Sequence, residues 1–304
     1  MFNLQTKQAM KRKIILIFML VAFLLFISPR IFAVNSTTVS SRVNVTNVAP
    51  SIVSITVNRV GYAPGTNIDL IPGTITPVEC NGTINDTNGY ADILNASAVF
   101  YDNSVATPTS SDNNETHYTN SSCTLSAGSG LSKNFHCYFG VLYYANNASW
   151  TCNVTAYDAD GAYNSSTNST NINILVALNV SNTTIDYGNM APLETSSSSV
   201  IENITNHGNV KLDLTLNGTD MTCPNPYPAI PVGNQHYNVT GTDQAYELMT
   251  ALTSSPVTVT AFDLLKRNDT DALRAIRMTY WRISIPAGLK GVCQGNITFA
   301  VLVG

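Results

Sequence analysis

The stretch HCYFGVLYYANNASWTCNVTAYDADGAY, running from His136 to Tyr163, decides the fold class. Its first part belongs to a β-rich run that reads as a strand over 134–144. Ala145-Asn146-Asn147-Ala148 then reads as a turn, and 149–158 as a second strand. Asp160-Gly161 closes that strand with a pair suited to the positive φ angles of a tight hairpin. The expectation is three consecutive antiparallel strands, the last over 165–176.

Working outward, short β-rich runs separated by Gly, Asn, Asp and Pro recur at 51–58, 74–83, 91–102 and 117–125. That spacing belongs to an all-β sandwich and not to alternating strand and helix. In SIVSITVN, Val53, Ile55 and Val57 fall on one side and are expected to face the core. A second series starts near Ala177 with almost no linker, with strands expected at 177–187, 199–206, 210–217, 257–267, 277–285 and 295–303. YELMTALTS at 246–254 is the one short helix expected. The domain plan is therefore a leader over 1–33, a flexible or edge-strand extension over 34–49, an immunoglobulin-like sandwich over 50–176 and a second β-sandwich over 177–304. The two sandwiches are expected to abut stiffly.

The leader combines Lys11-Arg12-Lys13, an apolar run from Ile14 to Ser28 and the small-residue end at Ala33, the three-part order of a secretory signal. About 15 apolar residues span roughly 22 Å as a helix, short of the ~20 residues a bilayer core requires. Cleavage after Ala33 is expected, leaving Val34 first, with retention as a signal anchor the alternative. Five of the 15 basic residues and none of the 19 acidic ones lie before Val34, so the remainder carries a net charge of about −9. A nucleic-acid partner, which needs clustered Lys and Arg, is disfavoured. Contact with a membrane is expected only through the leader.

Charged residues are 11% of the chain, and polarity comes instead from Ser, Thr and about 34 Asn. About 18 N-x-[ST] acceptor sites result, among them Asn35, Asn44, Asn81, Asn85, Asn95, Asn114, Asn147, Asn153, Asn164, Asn203, Asn217, Asn238 and Asn296. Composition alone would give roughly seven, so a glycan-coated surface is expected.

The six Cys lack the close pairs that zinc sites use, and export makes disulfides their default. The expected pairing is Cys80 with Cys152 between opposite sheets, Cys123 with Cys137 across a Gly/Ser loop, and Cys223 with Cys293 pinning the terminal strand.

No catalytic residue is nominated and no cofactor is expected. His117, His136, His207 and His236 are scattered, without an H-E-x-x-H pair. AGSGLS at 127–132 only imitates a phosphate or nucleophile loop and reads as a flexible turn. Trp150, Tyr143 and Tyr144 could form a sugar platform, but their spacing beside strand cysteines favours core packing. Asp86, Asp92, Asp158 and Asp160 lie in turns that a sandwich of this order would bring to one end. Calcium favours such carboxylates, whereas hairpin turns also use Asp for backbone hydrogen bonds. No residue is assigned as a metal ligand from the sequence.

IDYGNMAPLETSSSSVIENITNHGNVKLDLTLNGTDM in the second half resembles the opening of abnormal-spindle/hydin-type immunoglobulin-like domains, through its Tyr-Gly strand end and Asn-x-Gly-Asn hairpin. The wider chain is similar to secreted immunoglobulin-like proteins of small-genome archaea, through Cys80, NGYADI at 88–93, YYANNASWTC at 143–152, YDADGAY at 157–163 and YWRISIPAGLKGVCQGNITF at 280–299. These resemblances imply fold and location and no reaction. A weaker likeness to archaeal filament subunits that exchange strands rests on the polar extension and on ITFAVLVG. Against the antibody pattern, Trp150 stands two residues before Cys152, where a corner tyrosine is expected, and 91–102 has no Trp. The functional expectation is a non-enzymatic, exported surface protein, structural or adhesive. Its partners would be envelope components, another cell surface or a second copy joined by strand exchange. A carbohydrate- or ligand-binding module is the alternative.

Overall fold

The computed structural model describes residues 3–26 and 37–304. Ala33, Val34 and Asn35, with the expected cleavage point, lie outside the described residues. The chain forms two compact units, 1–46 and 47–304. In the first, helix α1 (Asn3–Phe26) carries Lys7, Lys11, Arg12 and Lys13 ahead of its apolar half. Among the described residues no helix is long and apolar enough to cross a membrane. Residues 37–46 are exposed and form no strand.

The second unit is all β, two sandwiches in tandem. The first contains β1 (Ser51–Arg59), β2 (Ile75–Asn85), β3 (Ile93–Asp102), β4 (His117–Asn120), β5 (Thr124–Leu125), β6 (Ser132–Leu142), β7 (Ser149–Asp158) and β8 (Tyr163–Asn171). One sheet has the order β1-β2-β6-β5 and the other β4-β3-β7-β8. With its cross-sheet bridge from β2 to β7, this is the strand arrangement of an immunoglobulin-type sandwich. Phe100, Phe135, Trp150, Val78 and Val154 fill the space between the sheets and are fully buried.

Three local expectations are corrected. The strands β6 and β7 are not a hairpin: β6 pairs with β2 and β5, while β7 pairs with β3 and β8. Tyr143, Tyr144 and Ala145 are buried as the chain crosses between sheets, and six connecting residues are more than a tight hairpin needs. Trp150 secures that crossing, its indole N–H donating to the Asn146 carbonyl at 2.9 Å. It occupies the corner tyrosine's position and makes the same kind of upstream backbone bond.

The expected strand 117–125 is two strands in different sheets, because Ser121–Cys123 crosses the sandwich edge and the Cys123 N–H bonds Ala96 O at 2.7 Å. In β1 the pairing slips between Ile52 and Ser54, a bulge at Val53. Val53 is thereby 61% exposed while Ile52 packs on the core. The bulge brings Ser54 O against Gly82, where a Cβ would overlap it.

The second sandwich contains β9 (Leu178–Val180), β10 (Val200–Asn206), β11 (Leu212–Gly218), β12 (Gln235–Asn238), β13 (Thr250–Ala251), β14 (Val257–Leu264), β15 (Ile276–Ile283) and β16 (Ile297–Val303). Its sheets run β13-β12-β15-β10-β9 and β14-β11-β16 around Ile204, Leu214, Phe262 and Trp281. The expected strand 177–187 stops at Val180. Buried Glu202 takes the Asn182 N–H at 3.0 Å and the Ser181 hydroxyl at 2.8 Å, diverting the backbone from the ladder. The expected helix at 246–254 is one 3-10 turn, Tyr246–Leu248, followed by β13 on β12. Here pairing with β12 overrides local helix propensity. ITFAVLVG has an intrachain partner, since β16 pairs with β11 along its length.

The Asn-x-Gly-Asn turn at 206–209 meets the first sandwich. Asn206 Nδ2 donates to Val210 O and Leu264 O in its own sandwich. Asn209 Nδ2 donates to Ala145 O at 3.1 Å and Asn173 O at 3.0 Å, and its Oδ1 accepts from the Leu175 N–H. Gly208 lies against Leu175 O, where a Cβ would overlap. Beside this turn, Lys266 Nζ donates to Tyr144 O and Asn146 Oδ1 and pairs with Glu115. The amide of Asn146 in turn donates to buried Asp102.

Candidate cation site

Asp86 directly follows β2, Asp92 ends the 3-10 turn Tyr90–Asp92 that leads into β3, and Asp158 ends β7. Cys80 and Cys152 are bonded across the core, and each strand runs on from its cysteine to one of these aspartates, so the bridge registers Asp86 and Asp158 at the same end of the sandwich. One carboxylate oxygen from each of the three aspartates lies within 4.8 Å of the others.

Asp86 and Asp158 are each 1% exposed. Local chain geometry holds them. The Asn88 N–H donates to Asp86 Oδ1 at 2.7 Å, and the N–H groups of Asp160 and Ala162 donate to Asp158 Oδ1 at 3.1 and 2.7 Å. These are the Asp-led turns anticipated from sequence. The Ala159 N–H bonds Asp92 O at 2.9 Å, fastening the β7–β8 turn to the turn before β3. Asn47 Nδ2 donates to Asp158 Oδ2 at 2.8 Å, and the Val48 N–H to Asn88 Oδ1 at 2.9 Å, so the incoming chain also reaches this end.

Asp86 Oδ2 differs from these atoms: it is buried and has no hydrogen-bond partner. Among the described residues none of the ion pairs involves Asp86, Asp92 or Asp158. Lys133 Nζ donates to Ile93 O, the carbonyl of the residue after Asp92. Burial, and then the negative charges of Asp86, Asp158 and Asp160, push the Asp92 carboxyl above its ordinary value. The amide of Asn47 and three backbone N–H groups instead hold Asp158 below its own. Of the four aspartates weighed from sequence, Asp160 contributes its N–H but no oxygen to the group. Three converging hard oxygen donors suit calcium or magnesium and not a soft metal.

The remaining candidate residues lie apart. Cys123 bonds Cys137, and Cys223 bonds Cys293 beside the start of β16. His117 Nδ1 meets Asp112 at 2.7 Å, His136 faces Glu79, His207 lies against Tyr143, and His236 Nδ1 meets Tyr246 O. Trp150, Tyr143 and Tyr144 are 0, 6 and 1% exposed, so they pack the core and offer no sugar-binding face. Two surface depressions of about 350 and 390 Å³ are lined by residues around Tyr237 and Thr258 and by Asn67, Asn147, Asn171 and Asn173. Neither lining includes a histidine or a carboxylate.

The fold and the site define a disulfide-bonded tandem β-sandwich with an acidic end. No protein-family profile and no curated protein matches the chain. Among solved structures it is similar to a chaperone–tip adhesin pre-assembly complex of the Csu pili of Acinetobacter baumannii, with 10% identity, a TM-score of 0.34, and coverage of 81% of this chain and 91% of that one. A chaperone–tip adhesin complex of CFA/I fimbriae gives 10% identity, a TM-score of 0.31, and coverage of 82% and 84%. Against latent PorU from Porphyromonas gingivalis the identity is 10% and the TM-score 0.28, over 86% of this chain. The chain spans about a fifth of the length of that PorU chain, 21%. At these scores neither the fold assignment nor the function rests on the likeness.

Proposed function

We propose that the chain is a non-enzymatic, exported protein of a cell surface, glycosylated, with a structural or adhesive role toward envelope components or another cell. The observation that carries this reading is that each sandwich is closed by its own disulfides, with no bridge between the two. Such bonds persist in oxidising compartments and resist unfolding outside the cell. The outer face of the sheet containing β7 and β8 adds support, because it presents Thr151, Thr155, Ser165 and Ser169 in cross-strand hydroxyl pairs and almost no charge. Acceptor asparagines Asn147, Asn164, Asn179, Asn203 and Asn296 are exposed. The charged–apolar–small order of the leader and the resemblance to secreted archaeal immunoglobulin-like proteins agree with export. The absence of a sequence motif for a nucleophile or base, and the separate engagement of the four histidines, favour a role without catalysis.

The test is recovery of the full-length product from the cells that make it. The expected result is protein that begins at Val34, is cleaved by protease added to intact cells, and yields glycopeptides from the exposed acceptors. Protein confined to the cell interior, with Lys11–Ala33 intact and free thiols, overturns the reading.

A further inference from the structure

We propose that Asp86, Asp92 and Asp158 form a calcium-binding site at the end of the first sandwich where the chain enters at Asn47. Two independent observations converge on it. The first is geometric: oxygens bound to one calcium ion at about 2.4 Å stand at most about 4.8 Å apart, and three carboxylate oxygens here share that span. The second is Asp86 Oδ2, which sits on a 1% exposed side chain without a partner. A buried carboxylate oxygen left unsatisfied is costly, and three carboxylates gathered without a cation repel one another. A divalent ion removes both penalties at once.

The donor chemistry selects among metals. Carboxylates from two loops, β2–β3 and β7–β8, give a hard, all-oxygen site with room for water or backbone carbonyls to complete six to eight ligands. Magnesium demands near-ideal octahedral geometry at about 2.0–2.1 Å, whereas calcium accepts the irregular geometry of carboxylates carried on turns. The occupied site would join the turn after β2, the turn before β3 and the β7–β8 hairpin, and through the Asn47 bond to Asp158 it would also hold the incoming chain. This inference stands whether or not the protein is adhesive. An affinity of about 10⁻⁴–10⁻³ M, as in extracellular modules, is expected.

The experiment is calorimetric titration of calcium chloride into chelator-stripped full chain, paired with thermal unfolding in calcium, in magnesium and in chelator. The expected result is one calcium per chain, a Tm that rises with calcium, and at least tenfold weaker magnesium binding. Asp86→Asn and Asp92→Asn should each lose calcium binding by tenfold or more while keeping a Tm in chelator at or above that of the parent, since each relieves repulsion. Asp158→Asn is a poorer probe because Asp158 Oδ1 also holds the hairpin backbone. Absence of calcium binding by the folded parent overturns the proposal, as does calcium binding undiminished in both Asp86→Asn and Asp92→Asn. Magnesium binding as tight as calcium overturns the choice of ion.

Discussion

At the scale of single residues, side-chain hydrogen bonds to the backbone decide where this chain turns. Trp150 is fully buried against Phe100, ring centroids 4.9 Å apart, and its N–H bonds Asn146 O. Trp150→Phe keeps an aromatic in the core but strands that carbonyl, and should cost about 1–3 kcal/mol. Trp150→Ala should cost about 3–5 kcal/mol. Urea unfolding of the two variants separates the effects, and equal losses would show that the bond adds nothing to the packing. Asn238 makes a different point about what a sequence motif can reveal. It satisfies the N-x-[ST] rule, yet it is 6% exposed and its Nδ2, the atom that would carry a sugar, donates to Thr242 O at 2.7 Å. Glycopeptide mapping should find Asn238 bare while exposed Asn164 and Asn203 are modified, and a glycan on Asn238 of folded protein would contradict the packing described.

At the scale of elements, sheets impose contacts that no single strand announces. Gly82 on β2 lies under the bulged β1, and any Cβ there meets Ser54 O and then Phe135. Gly82→Ala should therefore undo the bulge or shift β1, at a cost of about 2 kcal/mol or more, whereas the same change at Gly140 meets only Ile75 Cγ2 at 3.3 Å and should cost less. Comparing their chemical-denaturation midpoints checks this, and equal midpoints would argue that β1 yields freely. The same contrast marks what was legible in the sequence. The all-β class, the core strands and the Asp160-Gly161 hairpin followed from alternation and turn residues, which are local. The bulge at Val53, the crossing at Tyr143–Ala145 and the end of β9 were hidden, because each depends on a partner far along the chain: Ile84, the opposite sheet, and Glu202. The acidic site divides similarly. Convergence of Asp86, Asp92 and Asp158 could be read from strand order, but the orphaned state of Asp86 Oδ2 is a property of burial, which only the packed sandwich creates.

At the scale of the whole second unit, 47–304, the question is whether its two sandwiches unfold together. Their cores are separate clusters, and no sheet or disulfide spans both. Coupling then runs through the contacts between them, where the Gly73 N–H donates to His207 O and Asn114 Nδ2 to Asp269 Oδ1, and where Asn209 and Lys266 make the most side-chain hydrogen bonds. Asn209 is 1% exposed and satisfies three groups on two segments, so Asn209→Ala leaves two carbonyls and the Leu175 N–H without their partner. Each buried group left unsatisfied costs about 1–3 kcal/mol. The Lys266 side chain is largely withdrawn from water, and burial draws its ammonium pKa down despite Glu115 beside it, so its hydrogen bonds to Tyr144 O and Asn146 Oδ1 are made in a partly desolvated setting. Lys266→Met keeps the stem and removes the donor. If these contacts carry the coupling, the parent should unfold in one calorimetric transition, and Asn209→Ala combined with Lys266→Met should split it into two, with protease cutting near residues 173–177 before either sandwich melts. Both sandwiches should keep their own melting behaviour in the split trace, since neither substitution enters a core. Two transitions already present in the parent, or one transition retained in the double variant, would show that the Asn-x-Gly-Asn turn orients the sandwiches without coupling their stability.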